Sequence, residues 1–100
     1  MFSYALLRAA RFNLVDGGEA KAVIVAGRRA LDALLDTKLV QDEDGITRLS
    51  GIVHVAGLGG FEGNYRSGTP EYYLTEPVVS DDAKGVGPLM MAYAESLRLR

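Results

Sequence analysis

The first helix of this chain constrains its fold more than any other feature. Residues 1–15 read as helical, and eleven of these 15 are apolar. Ser3, Arg8 and Arg11 share one stripe at 100° per residue, and Asn13 completes the polar set. A helix apolar nearly all round is normally buried on most sides. A chain of 100 residues has little material with which to bury it. Asp16-Gly17-Gly18 is expected to end this helix, because these residues tolerate the positive φ of a C-cap.

The second helix, 19–38, is different in kind. Ala20, Val23, Ile24, Gly27, Leu31, Leu34 and Leu35 fall on one face at i, i+3, i+4 spacing. Lys21, Arg28, Asp32 and Asp36 fall opposite them, so one side is dry and one wet. A third helix is expected over 86–98, with Pro88 near its first turn, where proline is tolerated. Val86, Leu89, Met90, Tyr93, Ala94 and Leu97 share a face, and Met91 and Ala92 are apolar on the other side. Two helices are therefore dry on most sides, and the one between them is amphipathic.

The intervening sequence is irregular. Asp42-Glu43-Asp44-Gly45 reads as a turn and lacks the alternate ligands and final glutamate of a calcium loop. Ile52–Val55 reads as a short strand containing His54, for which a hydrogen-bonded structural role is expected. The glycine-rich stretch 57–68 reads as loop, and Glu71–Leu74 as extended chain, with Pro77 barring a helix through it. Asp81 and Asp82 are expected to cap the turn into the last helix.

Composition excludes several classes of function. A net charge of −2 with 48% hydrophobic residues fits neither a disordered segment nor a general nucleic-acid binder. With no cysteine and one histidine, no thiolate or His-rich metal site can form, and neither metal nor cofactor is expected. No uncharged run approaches the ~20 residues of a membrane span. Residues 1–7 are apolar but lack a preceding basic region, so no signal peptide is read and a cytoplasmic location is expected.

Few motifs carry chemistry. Gly57-Leu58-Gly59-Gly60-Phe61-Glu62-Gly63 superficially suggests a dinucleotide loop, but Glu62 occupies the sixth position and no helix follows. Glu62, Glu71, Glu76, Asp81 and Asp82 are the carboxylates of the loop-rich half, and spacing alone does not bring any two together. Tyr65, Tyr72 and Tyr73 could stack on sugars or fill a core. In an extended chain Tyr72 and Tyr73 would face opposite sides, leaving at most one toward a ligand. Lys84 beside a helix N-terminus could bind a carboxylate or simply pair with Asp81 or Asp82.

Three stretches carry a family resemblance: 57–60 (GLGG), 71–79 (EYYLTEPVV) and 82–89 (DAKGVGPL). Together they resemble the C-terminal end of the unsaturated rhamnogalacturonyl hydrolases of glycosyl hydrolase families 88 and 105, and more distantly the unsaturated glucuronyl hydrolases. Residues 1–7 are similar to an inner helix of that family. The resemblance covers the whole chain but only the last quarter to third of the family.

It implies a mainly α fold: the last hairpins of an (α/α)6 toroid, with one short β-hairpin-like loop region. Residues 1–100 would be the C-terminal fragment of a single barrel domain. The first and third helices would be inner ones, the second an outer one, and open inner faces would be completed by homo-oligomerisation or by the remaining hairpins.

The implied activity is bacterial pectin breakdown. A 4,5-unsaturated uronic acid leaves rhamnogalacturonan oligosaccharides after hydration of the ring double bond, with an aspartate as acid/base. The motif bearing that aspartate has no counterpart in this sequence, so no catalytic residue is assigned and the chain is expected to be inactive alone. Tyr72, Lys84, Gly85, Gly59 and Gly60 are the expected rim of the sugar site, with Lys84 facing the substrate carboxylate. A free-standing, non-catalytic carbohydrate-binding or oligomerisation module is the alternative.

Overall fold

The computed structural model describes residues 1–61 and 64–99, and of Phe61 and Asn64 only the backbone. Long helices are α1 (Phe2–Arg11), α2 (Gly17–Lys38) and α4 (Ala83–Arg98). The short α3 is Pro70–Tyr73. Three two-stranded antiparallel ribbons fill the connection between α2 and α4. They pair β1 (Leu39–Gln41) with β2 (Thr47–Leu49), β3 (Ile52–Val53) with β6 (Val78–Val79), and β4 (Gly59–Phe61) with β5 (Asn64–Arg66).

The α1–α2 hairpin is built around a missing side chain. Leu7 is fully buried and sits in the notch at Gly27, where an added Cβ would lie 2.9 Å from Leu7 Cγ and Cδ2. Ser3 is buried against the same point, its hydroxyl donating to the Gly27 carbonyl at 2.8 Å. The polar stripe of α1 is therefore partly an interior feature. Leu31 and Ala10 continue this contact, and Ala92 supplies buried apolar surface from α4.

Charge joins α1 to α4. Glu95 is only 3% exposed, yet it is ionic. Arg11 grips it bidentately, Nε to Oε2 at 2.5 Å and Nη2 to Oε1 at 3.0 Å, and Arg8 Nη1 reaches Oε1 at 2.8 Å. The Phe12 ring covers both guanidinium groups, 4.7 Å from Arg8 and 4.5 Å from Arg11. The hydrogen bond from Arg11, with Arg8 adding to it, lowers the Glu95 pKa to about 2. Arg28 of α2 donates to the carbonyls of Leu99 and Ser96 at 2.7 and 3.2 Å, capping the negative end of α4. It leaves the wet face on which periodicity places it.

Several elements depart from sequence expectation. Helix α1 stops at Arg11 rather than 15, because Asn13 takes a left-handed φ of 55°. Asn13 N–H bonds Ala10 O and Leu14 N–H bonds Ala9 O, a Schellman arrangement with asparagine in the position glycine usually holds. Asp16 and Gly17 then start α2 instead of ending α1.

Glu71–Tyr73 is helical, not extended. Thr69 is the N-cap, its hydroxyl accepting from Tyr72 N–H, and Pro70 takes the first helical position. The glycine-rich stretch contains the β4–β5 ribbon, while Glu62 and Gly63 lie outside the described residues. The β1–β2 ribbon was not expected either. Asp42 folds its turn by accepting from Asp44 and Ile46 N–H. His54 lies beyond β3 and is exposed, and its backbone N–H, not its ring, is tied down, to Pro77 O. Helix α4 begins at Ala83, with Asp82 as N-cap, so Pro88 falls inside the helix.

The molecule is flat. Its extents are 50 × 36 × 19 Å and its radius of gyration is 16.6 Å, against roughly 13 Å for a compact 100-residue domain. Its accessible surface is 7290 Å², against about 5,500 Å² for a folded monomer of this mass. The excess includes apolar side chains of α1 and α4: Phe2 is 86% exposed, Met90 66% and Tyr93 50%.

Two predictions follow from this packing. Gly27→Ala gains about 1 kcal/mol of helix propensity, but overpacks Leu7 at a cost of about 1–3 kcal/mol. Thermal denaturation should give a lower Tm for Gly27→Ala. The control Gly18→Ala, where a Cβ meets nothing within 4 Å, should not lower it. The second concerns pH. The folded-state pKa of Glu95 lies below its ordinary value of 4.5, so its stabilisation is complete above that value and is lost as pH falls through about 2. Glu95→Gln should reduce stability at neutral pH and flatten the acid limb of a stability–pH curve.

Candidate functional site

Two cavities flank the ribbons. The smaller, about 180 Å³, lies where the amino ends of α1 and α4 meet the carboxyl end of α2. Lys38, Gly51, Ile52, Lys84 and Gly85 are among its lining residues. Gly51 has φ +75°, and the Lys38 side chain lies over it, 3.3 Å from where a Cβ would be. Lys38 has no acidic partner among the described ion pairs. Lys84 does: its Nζ is 2.6 Å from Asp82 Oδ2, while Asp82 Oδ1 accepts Lys84 N–H at 3.0 Å. Those bonds from Lys84 hold the Asp82 carboxyl below its usual range.

The neighbouring Asp81 adopts φ 59° and acts as an extra sheet residue. Its N–H donates to Leu49 O, its Oδ1 accepts from Leu49 N–H, and its Oδ2 binds Arg48. The hydrogen bond from Arg48 lowers the Asp81 pKa. Arg48 also binds Asp42, so it staples the β1–β2 turn to the segment that launches α4.

The larger cavity, about 430 Å³, is formed between residues 55–58 and 68–76. Val55, Leu58, Pro70, Tyr72 and Tyr73 give it an apolar and aromatic lining, and among the described residues Glu76 is its one acidic side chain. The Glu76 side chain is only 7% exposed and accepts from Arg66 Nε at 2.9 Å.

The expected sugar-rim residues do not converge on one cavity. Tyr72 lines the larger one, and Lys84 and Gly85 the smaller. Gly59 and Gly60 lie in β4 and line neither. Gly59 needs its φ of 83°, and Gly60 pairs with Tyr65. Gly85 has a packing reason as well: a Cβ there would be 2.6 Å from Ile52 Cδ1. Among the described residues no group of three or more metal-ligating side chains occurs, and no helix is long and apolar enough to cross a membrane.

The model of glycosyl hydrolase family 88 matches residues 1–100, the full sequence. The chain belongs to glycosyl hydrolase family 88. Two curated relatives are each 77% identical to this family 88 chain over 99 residues. They are Protein Atu3128 of Agrobacterium fabrum and the 24.9 kDa protein in picA locus of Rhizobium radiobacter. The match takes in 99% of the chain and 42% of each relative. A solved family 105 glycoside hydrolase of C. acetobutylicum superposes with a TM-score of 0.80 at 32% identity, over 96% of the chain and 25% of the solved enzyme. The chain thus spans less than half the length of the curated relatives and a quarter of the solved one.

Family membership fixes the broad class as glycosidase-related, and the helical hairpins carry that fold. Sequence reasoning did not single out Glu76 as a cavity residue or Tyr73 as its companion. The signal was present in the Thr69-Pro70 pair, a helix start that places residues 72, 73 and 76 on one turn and its exit. If Gly85 is required for packing, Gly85→Ala should lower the Tm in thermal melts by overpacking. Ile52→Val, which removes the clashing Cδ1, should recover part of that loss in the double variant. Additive effects of the two changes would argue against the contact.

Proposed function

We propose that this chain supplies the last helical hairpins and part of the sugar-binding rim of an unsaturated rhamnogalacturonyl hydrolase. That enzyme removes a 4,5-unsaturated uronic acid from pectin-derived rhamnogalacturonan oligosaccharides by hydrating the ring double bond. The observation that carries the reading is the uncovered apolar surface of α1 and α4 in a chain matched end to end by the family. Apolar patches of that kind rarely stay exposed. The remaining hairpins of the toroid, or a second copy of the chain, would cover them.

Lys38 at the smaller cavity, without a carboxylate partner among the described ion pairs, offers positive potential to a uronate carboxylate, and Lys84 stands beside it paired with Asp82. On this reading the described carboxylates of the loop-rich half do not supply the acid/base. Glu76, Asp81 and Asp82 are each engaged by a cation, to Arg66, Arg48 and Lys84 respectively. Glu71 lies exposed on α3 and outside both cavities. Inactivity in isolation is therefore part of the proposal.

Two measurements test it. Loss of ultraviolet absorbance from an unsaturated uronyl disaccharide should not occur with this chain alone, and turnover would overturn the claim that the acid/base lies elsewhere. Solution mass should rise with concentration as the α1–α4 face self-associates. A monomer at every concentration would favour the second reading, a free-standing carbohydrate-binding module, which gains support from a larger cavity built wholly from residues 55–76.

A further inference from the structure

The outer side of α2, opposite the face that packs on α1, is not a simple wet face. Val25 lies on it 59% exposed. Ala22, Ala26 and Ala33 are exposed beside it, and together these residues line two adjoining grooves along the helix. Short side chains let a second helix axis come close. The charges that border the grooves are sorted by sign along the chain. Lys21 and Arg29 come first, and Asp32 and Asp36 follow them. Among the described residues none of these four belongs to an ion pair. Arg28 also borders the grooves but is turned to the carbonyls at the end of α4, and Glu19 lies outside both grooves.

We infer that the outer face of α2 docks the same face of a second copy of this chain, the two helices running antiparallel about a two-fold axis. The order of the charges selects that occupant. Turned end for end, a second copy sets its anions against the cations of the first, and the two-fold makes every contact twice. An axis passing near residues 28 and 29 places Lys21 opposite Asp36 of the second copy, and Val25 opposite its Ala33. The two Arg29 side chains then meet near the axis, each within about one helical turn of Asp32 from both copies. A parallel copy would instead set Lys21 against Lys21 and Asp36 against Asp36, where like charges repel. The contact uses none of the residues of α1 and α4 that carry the proposed function, so the two stand or fall separately.

The test is sedimentation equilibrium of the full chain, with circular dichroism as the check on folding. A dimer is expected whose dissociation constant rises as sodium chloride is raised from about 0.05 to about 0.5 M, because exposed ion pairs are screened. Association through the apolar surfaces of α1 and α4 would not weaken with salt. Lys21→Glu and Asp36→Lys should each weaken the dimer about tenfold, since the two-fold turns two attractions into two repulsions. Lys21→Glu combined with Asp36→Lys in one chain rebuilds the pair with its signs exchanged. That double variant should recover most of the lost affinity, which a general effect on folding would not do. A dimer indifferent to salt and to these substitutions would assign self-association to α1 and α4 and overturn the inference. So would single losses that the double variant fails to recover. A monomer at every concentration, leaving this face to another part of the toroid, would overturn it too.

Discussion

The buried carboxylate of Glu95 is the point on which the arrangement of the long helices turns. Apolar contact between α1 and α4 is non-directional and would be nearly as favourable one turn out of register. The bidentate grip of Arg11 and the added bond from Arg8 are not so permissive, because both guanidinium forks must meet one carboxylate. Such a cluster is a poor source of net stability, since desolvation consumes most of the Coulombic gain. Removing one partner is a different matter: without Glu95, two positive groups would face each other under the Phe12 ring. Register, more than raw stability, is what this cluster secures, and Arg28 reinforces it by holding the far end of α4 to α2.

Close approach does for α1 and α2 what charge does for α1 and α4. Gly27 removes a side chain so that Leu7 and Ser3 can seat in its place, one by packing and one by hydrogen bonding. The result is a thin, well-registered layer with apolar surface left over on the side away from its small core. An elongated radius of gyration and an accessible area about a third above the monomer expectation describe one physical fact. This is the geometry of a hairpin layer, which buries one side against itself and leaves the other open.

How much of this was legible in the sequence depended on what each signal reported. Periodicity reports faces, so the helical character of 19–38 and the dry sides of the flanking helices were readable, and the face from Val23 to Leu35 is the packed one. Periodicity does not report long-range pairing. Glu95 sits 84 residues from Arg11, and nothing local distinguishes it from a solvated glutamate. Helix ends failed where a less common residue did the work: Asn13 took the left-handed position, and Thr69-Pro70 began a helix inside a stretch that reads as extended. The strand at Ile52–Val53 was readable, but its pairing with β6 and the β1–β2 ribbon were hidden because each strand has only two or three residues, too few for alternation to show. The site was legible only in part. Lys84 and Gly85 do share a cavity, but Tyr72 belongs to another one, and no local pattern says which loops fold over which.

That division is informative in itself. The lysine-flanked cavity has one cation, Lys38, without a described carboxylate partner, whereas the aromatic cavity has a carboxylate already matched by Arg66. Under the proposed function this chain therefore contributes orientation and not chemistry. Such a role asks for rigid loops on registered helices, and the Arg48 staple between the β1–β2 turn and Asp81 supplies that rigidity where the two meet.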